Sequence, residues 1–152
     1  MTSNNCLIEN IEDPLELFQK WYNEAVKNEI NDPNAMSLAT STLQGVPSVR
    51  MVLLKDYSES GFVFYTNKNS KKGREISKNK AASICFHWKS LNKQVRVDGD
   101  IVEVDSTLAD DYFLSRSKLS QVSAVASEQS SILKDRKIFL NKIDKIKKEY
   151  EN

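Results

Sequence analysis

The chain has 152 residues, which is enough for one domain with a buried core and too few for two domains of ordinary size. Its 22 Lys and Arg residues nearly balance 21 Asp and Glu residues, so the net charge of +1 argues against a chain-wide surface for nucleic acid or membranes. We therefore expect the function to reside in a local site.

No apolar run approaches the length of a membrane span, and the first residues lack the basic and then apolar pattern of a signal peptide. A cytoplasmic protein is the resulting expectation. The two cysteines, Cys6 and Cys85, predict neither a disulfide framework nor a metal site.

Residues 1–12 show no periodicity and are predicted to form a flexible leader before a single domain over residues 13–152. Asp13 and Pro14 then predict the start of a helix, as a capping residue followed by a first-turn proline. The helix is expected to end near Asn31. Its predicted core face comprises Phe18, Trp21, Tyr22, Ala25 and Val26.

Between residues 35 and 88 the sequence changes to short β-prone runs separated by turns. The predicted strands are residues 35–42, 46–55, 62–66 and 81–88. Short connections predict antiparallel pairing, because parallel neighbours need long crossovers. One longer link, residues 70–79, predicts a short capped helix that its internal Gly73 weakens.

A fifth strand is predicted over residues 94–104, with a bulge where its alternation shifts phase at residues 98–100. Helices are predicted to start near Thr107, to cover residues 117–126, and to run from Ile132 to Tyr150. Antiparallel strands with flanking helices predict an α+β domain that is mainly β.

The run from Arg50 to Lys55 is apolar between its two terminal cations. Alternation places Met51 and Leu53 on one face and Val52 and Leu54 on the other, so both faces are expected to be covered. The two cations either meet a bound phosphate or carboxylate, or mark the solvated ends of the strand.

A second basic segment lies between residues 67 and 80, where Glu75 is the single acid. A helix N-terminus after Ser70 would add backbone donors for an anion, although a solvated basic helix is the competing interpretation. Together with Arg50 and Lys55, this segment could meet a doubly anionic ligand. Its cations are Lys68, Lys71, Lys72, Arg74, Lys78 and Lys80.

Metal catalysis and hydrolytic triads are not indicated, because His87 is the single histidine and no ligand cluster has suitable spacing. No phosphate-cradling glycine loop is present. Redox chemistry would therefore need a bound cofactor.

Six ordered motifs resemble those of the pyridoxamine 5'-phosphate oxidase family, over about residues 13–150. The motifs are RMVLLK at 50–55, GFVFYTN at 61–67, SKK at 70–72, QV at 94–95, YFLSR at 112–116 and EQSS at 128–131. The resemblance implies an FMN-binding split β-barrel, usually a homodimer with flavin at the subunit interface. It also implies oxidation of pyridoxamine or pyridoxine 5'-phosphate to pyridoxal 5'-phosphate with oxygen, a reaction of vitamin B6 metabolism.

The resemblance also implies binding residues, and it assigns no catalytic side chain and no metal. The implied FMN contacts are Arg50, Met51, Val52, Leu53, Leu54, Lys55, Tyr65, Thr66, Lys71, Lys72, Gln94, Gln129 and Ser130. The implied substrate contacts are Lys55, Tyr112, Arg116 and Ser120. Family members often carry arginine where this chain has Lys71, which keeps the charge but loses the bidentate fork.

Family members continue into a Trp-Gly-Gly segment, closing strands and an Arg-x-His substrate clamp, and no residue of this sequence matches these features. The split-barrel domain is thus predicted to be C-terminally short relative to the family. A non-catalytic or weakly active FMN-binding protein is therefore the alternative to the oxidase. A small barrel that binds nucleic acid is disfavoured by the near-neutral charge.

Overall fold

The protein is described by a computed structural model, which covers residues 11–150. Most of the predicted leader, together with Cys6, lies outside these residues. No helix among residues 11–150 is long and apolar enough to cross a bilayer.

Helices and short strands alternate along the described residues. The helices are α1 (Pro14–Asn28), α2 (Lys71–Lys78), α3 (Ser106–Ser115), α4 (Lys118–Ala126) and α5 (Arg136–Tyr150), with a 3-10 turn at Lys89–Leu91. The strands are β1 (Ala35–Ser41), β2 (Pro47–Leu53), β3 (Asp56–Ser58), β4 (Gly61–Val63), β5 (Ala81–Trp88) and β6 (Lys93–Asp100).

The strands form an antiparallel sheet with flanking helices, which confirms the predicted α+β class. Four strands are ordered β2-β1-β5-β6, and β3 pairs antiparallel with β4 so that Tyr57 lies opposite Phe62. The helices contribute more residues than the strands.

The chain divides into two compact units, each built from separate stretches. Of the described residues, the first unit contains 11–38, Arg50–Phe64 and Ser83–Val97. The second contains Ala39–Val49, Tyr65–Ala82 and residues 98–150. A single domain over residues 13–152 stays a prediction.

The core of the first unit is aromatic and centres on Phe18 of α1, which is 3% exposed. Asp13 caps α1, as predicted, by accepting a hydrogen bond from the Leu15 amide at 2.8 Å. The Phe18 ring lies 4.9–6.0 Å, centroid to centroid, from the rings of Tyr22, Tyr57, Phe62, Phe86 and Trp88.

Val26 does not belong to this core, and its predicted place on the core face is wrong. It is 55% exposed. Eight residues turn an α-helix about 80° past two full turns, so Val26 lies to the side of the face that Phe18 and Ala25 share.

The second unit has its own apolar cluster, formed by α4 and α5. Val122, Ala126 and Ile146 are buried there, and Phe139 and Ile143 pack against them. The predicted start of the last helix at Ile132 is wrong. Ile132 is 92% exposed, and the helix begins at Arg136, where the Asp135 carboxylate accepts a hydrogen bond from the Lys137 amide at 2.8 Å.

Two strand predictions also need correction. The predicted strand 46–55 ends at Leu53. The Leu54 amide still donates to the carbonyl of Asn34, the residue before β1, at 2.8 Å, whereas the Lys55 amide donates to the Val63 carbonyl of β4 at 2.8 Å, so the chain has left β1 by Lys55. The predicted bulge at residues 98–100 is the end of β6 at Asp100. The phase shift in the sequence therefore marks the end of a strand.

Candidate functional site

Helix α2 begins within the second unit at a fully buried cap. The Ser70 hydroxyl, which is inaccessible to solvent, accepts a hydrogen bond from the Gly73 amide at 3.2 Å. A Cβ at Gly73 would lie 2.2 Å from the Lys68 carbonyl oxygen, so the helix approaches the preceding loop more closely than any other residue permits. This contact explains the internal glycine, which by propensity alone weakens the helix.

Two neighbouring lysines in the first turn of α2 differ sharply in environment. Lys72 is 8% exposed, and its ammonium donates a hydrogen bond to Gln129 Oε1 at 2.9 Å. Lys71 is exposed, and its ammonium lies 3.8 Å from the Glu75 carboxylate. Burial of an ammonium is costly unless polar partners and an anion meet it, so Lys72 is the stronger candidate for binding an anion.

The other cations of the basic segment point to solvent. Lys68, Arg74, Lys78 and Lys80 are exposed. The Lys68 ammonium lies 2.7 Å from the Glu103 carboxylate and, by donating a hydrogen bond, lowers the pKa of that carboxyl group. Each of the two interpretations therefore holds in part. Most cations of the segment are solvated, as on a basic surface helix, whereas Lys72 is buried, as in an anion site.

Glu75 is the polar residue of this region that sequence reasoning did not assign to a site. It is 6% exposed, and its Oε2 accepts hydrogen bonds from the Thr40 hydroxyl at 2.5 Å and the Ser48 hydroxyl at 2.6 Å. Its position as the single acid among six cations was the one sequence feature that could have drawn attention to it.

The loop of residues 127–131 contributes Gln129 and Ser130 to the same unit. Ser130 has a left-handed backbone with φ of 65°, and the Ser131 amide donates to the Glu128 carbonyl at 3.1 Å. A cleft of about 450 Å³ lies between this loop and α2. Its lining includes Asn67, Asn69, Arg74, Ser127, Gln129 and Ser131.

A stacked aromatic pair joins two further predicted contacts in the second unit. The rings of Tyr65 and Tyr112 are 4.0 Å apart, centroid to centroid, and inclined by 6°. The Tyr65 hydroxyl donates to the Leu108 carbonyl of α3 at 3.4 Å. Tyr65, a predicted cofactor contact, thus stacks on Tyr112, a predicted substrate contact. Thr66, the next predicted cofactor contact in the chain, is half-buried.

The remaining substrate candidates lie around the corner between α3 and α4. Arg116 caps the end of α3, and its carbonyl accepts a hydrogen bond from Gln121 Nε2 at 2.8 Å. Ser120 lies in the first turn of α4, where its hydroxyl accepts a hydrogen bond from Ser117 at 2.9 Å. Tyr112, Arg116 and Ser120 therefore follow one another across this corner.

The residues of the RMVLLK motif lie in the first unit. Arg50 is half-buried and donates to the Leu38 carbonyl at 3.1 Å. Met51 is 61% exposed, and Leu53 and Lys55 are also exposed, whereas Val52 is half-buried and Leu54 is buried. The predicted covering of both strand faces is therefore wrong for a single chain. Gln94 is exposed on β6.

The polar groups of the second unit are suited to bind a phosphate. A buried ammonium, a helix N-terminus and side-chain amide and hydroxyl groups are the donors that phosphate sites use. Within residues 11–150, no group of three or more His, Cys, Asp or Glu side chains is arranged to hold a metal ion.

Comparison with known proteins places these residues in a family. The sequence profile of pyridoxamine 5'-phosphate oxidase matches residues 22–150. A pyridoxine/pyridoxamine 5'-phosphate oxidase of Pelagibacter ubique is 52% identical over 98% of this chain and 71% of its own length. One from Erythrobacter litoralis is 55% identical over 86% of this chain and 61% of its own length. The chain therefore spans roughly two thirds of these relatives.

Solved structures agree with this assignment. PhzG from Burkholderia lata, solved in complex with tetrahydrophenazine-1-carboxylic acid, superposes with a TM-score of 0.84 at 26% identity, covering 91% of this chain and 68% of its own. An FMN-binding protein from Nostoc punctiforme, related to pyridoxamine 5'-phosphate oxidase, has a TM-score of 0.64 at 19% identity, covers 81% of this chain and 70% of its own, and supports the fold alone. The predicted split-barrel fold is confirmed. The chain belongs to the pyridoxamine 5'-phosphate oxidase family.

Proposed function

We propose that this chain binds FMN and oxidises pyridoxamine or pyridoxine 5'-phosphate to pyridoxal 5'-phosphate, with oxygen as the electron acceptor. The observation that carries the proposal is the buried Lys72, whose ammonium meets Gln129 from 57 residues further along the chain. Both residues were predicted FMN contacts. The names of the relatives support the same reaction.

The donor set fits the phosphate of FMN. In the second unit, Lys71, Lys72 and Ser130 offer two ammonium groups and a hydroxyl, and Gln129 adds an amide. We assign the phosphate of FMN to Lys71, Lys72, Gln129 and Ser130, and its ring system to Tyr65 and Thr66 of the same unit.

Bound FMN would supply the redox chemistry by accepting two electrons from the exocyclic carbon of the substrate and passing them to oxygen, which would leave as hydrogen peroxide. The alcohol would give the aldehyde directly, whereas the amine would give an imine that water hydrolyses with release of ammonia. The side chains of this protein bind and orient. Arg116 would neutralise the substrate phosphate, and the hydroxyls of Tyr112 and Ser120 would donate to its oxygens. Orientation matters because a well-aligned reacting pair can gain roughly 7 to 11 kcal/mol from proximity.

We also propose that the protein is a homodimer. Met51 and Leu53 leave an apolar face of β2 exposed in a single chain, and a second copy would bury it. Light scattering at micromolar concentration should give twice the monomer mass. The Met51→Glu variant should shift the equilibrium towards monomer, whereas a wild-type monomer would contradict the proposal.

One experiment tests the enzymatic proposal. The protein is loaded with FMN, mixed anaerobically with pyridoxamine 5'-phosphate in a stopped-flow instrument, and followed at the flavin absorbance band. Bleaching at roughly 1 per second or faster, followed by return of the absorbance when oxygen is admitted, would establish an oxidase. Bound FMN that stays oxidised at saturating substrate would leave a non-catalytic FMN-binding protein. Failure to bind FMN would overturn both.

A further inference from the structure

Glu75 is a buried carboxylate that the proposed reaction does not use. It lies at 6% exposure in a helix whose neighbouring side chains are mostly cationic. A buried carboxylate is costly unless hydrogen bonds and a cation compensate it. An apolar side chain of similar size would dock the helix without that cost, so packing alone does not account for a glutamate here.

The hydrogen bonds of Glu75 connect α2 to a different stretch of the second unit. Thr40 belongs to β1 and Ser48 to β2, and the chain turns between them, with the Thr42 amide donating to the Val46 carbonyl at 3.0 Å. Both hydroxyls donate to the same carboxylate oxygen. Glu75 therefore anchors the middle of α2 to the turn region of residues 39–49.

Glu75 also acts on the first turn of α2. Its Oε1 lies 3.8 Å from the ammonium of Lys71, one helical turn earlier. Lys72, the next residue, projects to Gln129 instead. The carboxylate thus fixes the rotation of the helix and meets one of two adjacent cations.

We propose that Glu75 is a positioning residue for the cofactor phosphate: it holds α2 so that Lys72 and the amides of the first turn meet the phosphate of FMN. The inference rests on the proposed function. A carboxylate near a phosphate also repels it, so the opposite outcome has a clear physical basis. If repulsion dominated, removal of Glu75 would tighten FMN binding.

The test compares FMN with riboflavin, which lacks the phosphate. Glu75→Ala should weaken FMN binding about tenfold to a hundredfold, as loss of one charge-assisted hydrogen bond does. Riboflavin affinity should change less than about twofold, because the ring contacts remain. Glu75→Gln should give an intermediate loss, because its amide oxygen can still accept both hydroxyls while the ion pair with Lys71 is lost. Glu149→Ala, which removes an exposed acid of α5, is the matched control and should leave both affinities unchanged.

A double-mutant cycle with Lys72→Ala separates positioning from general destabilisation. Because Glu75 acts partly through Lys72, Glu75→Ala should cost clearly less FMN affinity in the Lys72→Ala background than in the wild type, where only the contribution of the first-turn amides remains to be lost. Equal losses in both backgrounds would overturn the proposal. If Glu75→Ala does not fold, Thr40→Val and Ser48→Ala remove the two hydroxyls singly, and each should lower the preference for FMN over riboflavin.

The affinities of the wild-type protein for FMN and riboflavin distinguish the proposed phosphate site from the proposed role of Glu75. A wild-type protein that binds FMN no better than riboflavin would refute the proposed phosphate site, and the role of Glu75 with it. A wild-type preference for FMN that is unchanged or increased in Glu75→Ala would refute the role of Glu75 alone.

Discussion

The core around Phe18 in the first unit and the buried face of α2 in the second unit consist of different kinds of side chain. In the first unit, Phe18 is surrounded by aromatic rings, among them those of Tyr22, Phe62, Phe86 and Trp88. The indole N–H of Trp88 donates a hydrogen bond to the Pro33 carbonyl at 2.8 Å. In the second unit, the buried residues of α2 and its cap are Ser70, Lys72 and Glu75.

The energetic cost of burial differs between the apolar side chains of the first unit and the charged side chains of α2. Burial of one large apolar side chain stabilises a fold by about 1.5 to 3 kcal/mol, whereas each buried ion costs several kcal/mol before its partners compensate it. The aromatic core of the first unit is therefore explained by folding. Folding alone does not explain the buried polar side chains of α2, which agrees with the ligand site that we propose there.

The largest expected effect is on the aromatic core. Phe18→Ala should lower the free energy of unfolding by about 3 to 5 kcal/mol, because it leaves a cavity among five rings. Urea denaturation measures the loss. Val26→Ala, on the exposed side of the same helix, should cost less than about 1 kcal/mol. Equal losses for the two variants would show that α1 is not held by this core.

Lys72→Ala should have the next largest effect, and on binding instead of folding. Loss of one charge-assisted contact of about 1.5 to 3 kcal/mol predicts about tenfold to a hundredfold weaker FMN binding, with little change for riboflavin. Fluorescence titration with both flavins measures the difference. Lys78→Ala removes an exposed lysine of the same helix and should be neutral. Equal weakening for both flavins would remove Lys72 from the phosphate site.

Gly73→Ala tests how closely α2 approaches its preceding loop. Alanine favours a helix over glycine by about 1 kcal/mol, but the added Cβ would meet the Lys68 carbonyl oxygen at 2.2 Å. We expect a net loss of about 1 to 3 kcal/mol in thermal or urea unfolding, as for other overpacked sites. Gly99→Ala, with nothing within 4 Å, is the control. A stabilised Gly73→Ala variant would contradict the close approach.

The smallest expected effect concerns pH. Hydrogen bonds from the Thr107 hydroxyl and amide lower the pKa of Asp105 at the start of α3. A lowered folded-state pKa gives stability that is present above the unfolded value and is lost as the pH falls through the folded value. An NMR titration of the Asp105 carboxyl should show the lowered pKa. Thr107→Val should move it upwards, and an unchanged value would exclude the hydroxyl as a cause.

Helix starts were the features most accurately predicted from sequence. The starts of α1 and α2 follow capping residues that were identified in advance, because a cap and its helix lie within a few residues of each other. The start of α4 was predicted to within one residue. Strand ends were predicted less well. The chain leaves β1 at Lys55 because its amide pairs with Val63 of β4, and this pairing is not visible in the sequence of the strand itself.

The candidate site was predicted as a set of residues but not as an arrangement. The family motifs named both Lys71 and Lys72, and they named Gln129 without its partner. Glu75 was visible as a lone acid in a basic segment. Its role stayed hidden, because Thr40 and Ser48 are 35 and 27 residues away.

The sequence by itself determined the family, the local elements and the excess of cations before and within α2, because motifs, caps and charge are properties of neighbouring residues. Only the tertiary structure decided that Lys72 is buried against Gln129 while Lys71 stays exposed, and that Glu75 joins Thr40 and Ser48. Burial and hydrogen bonding depend on residues that folding brings together. The sequence alone therefore does not show which of two adjacent lysines has the buried side chain.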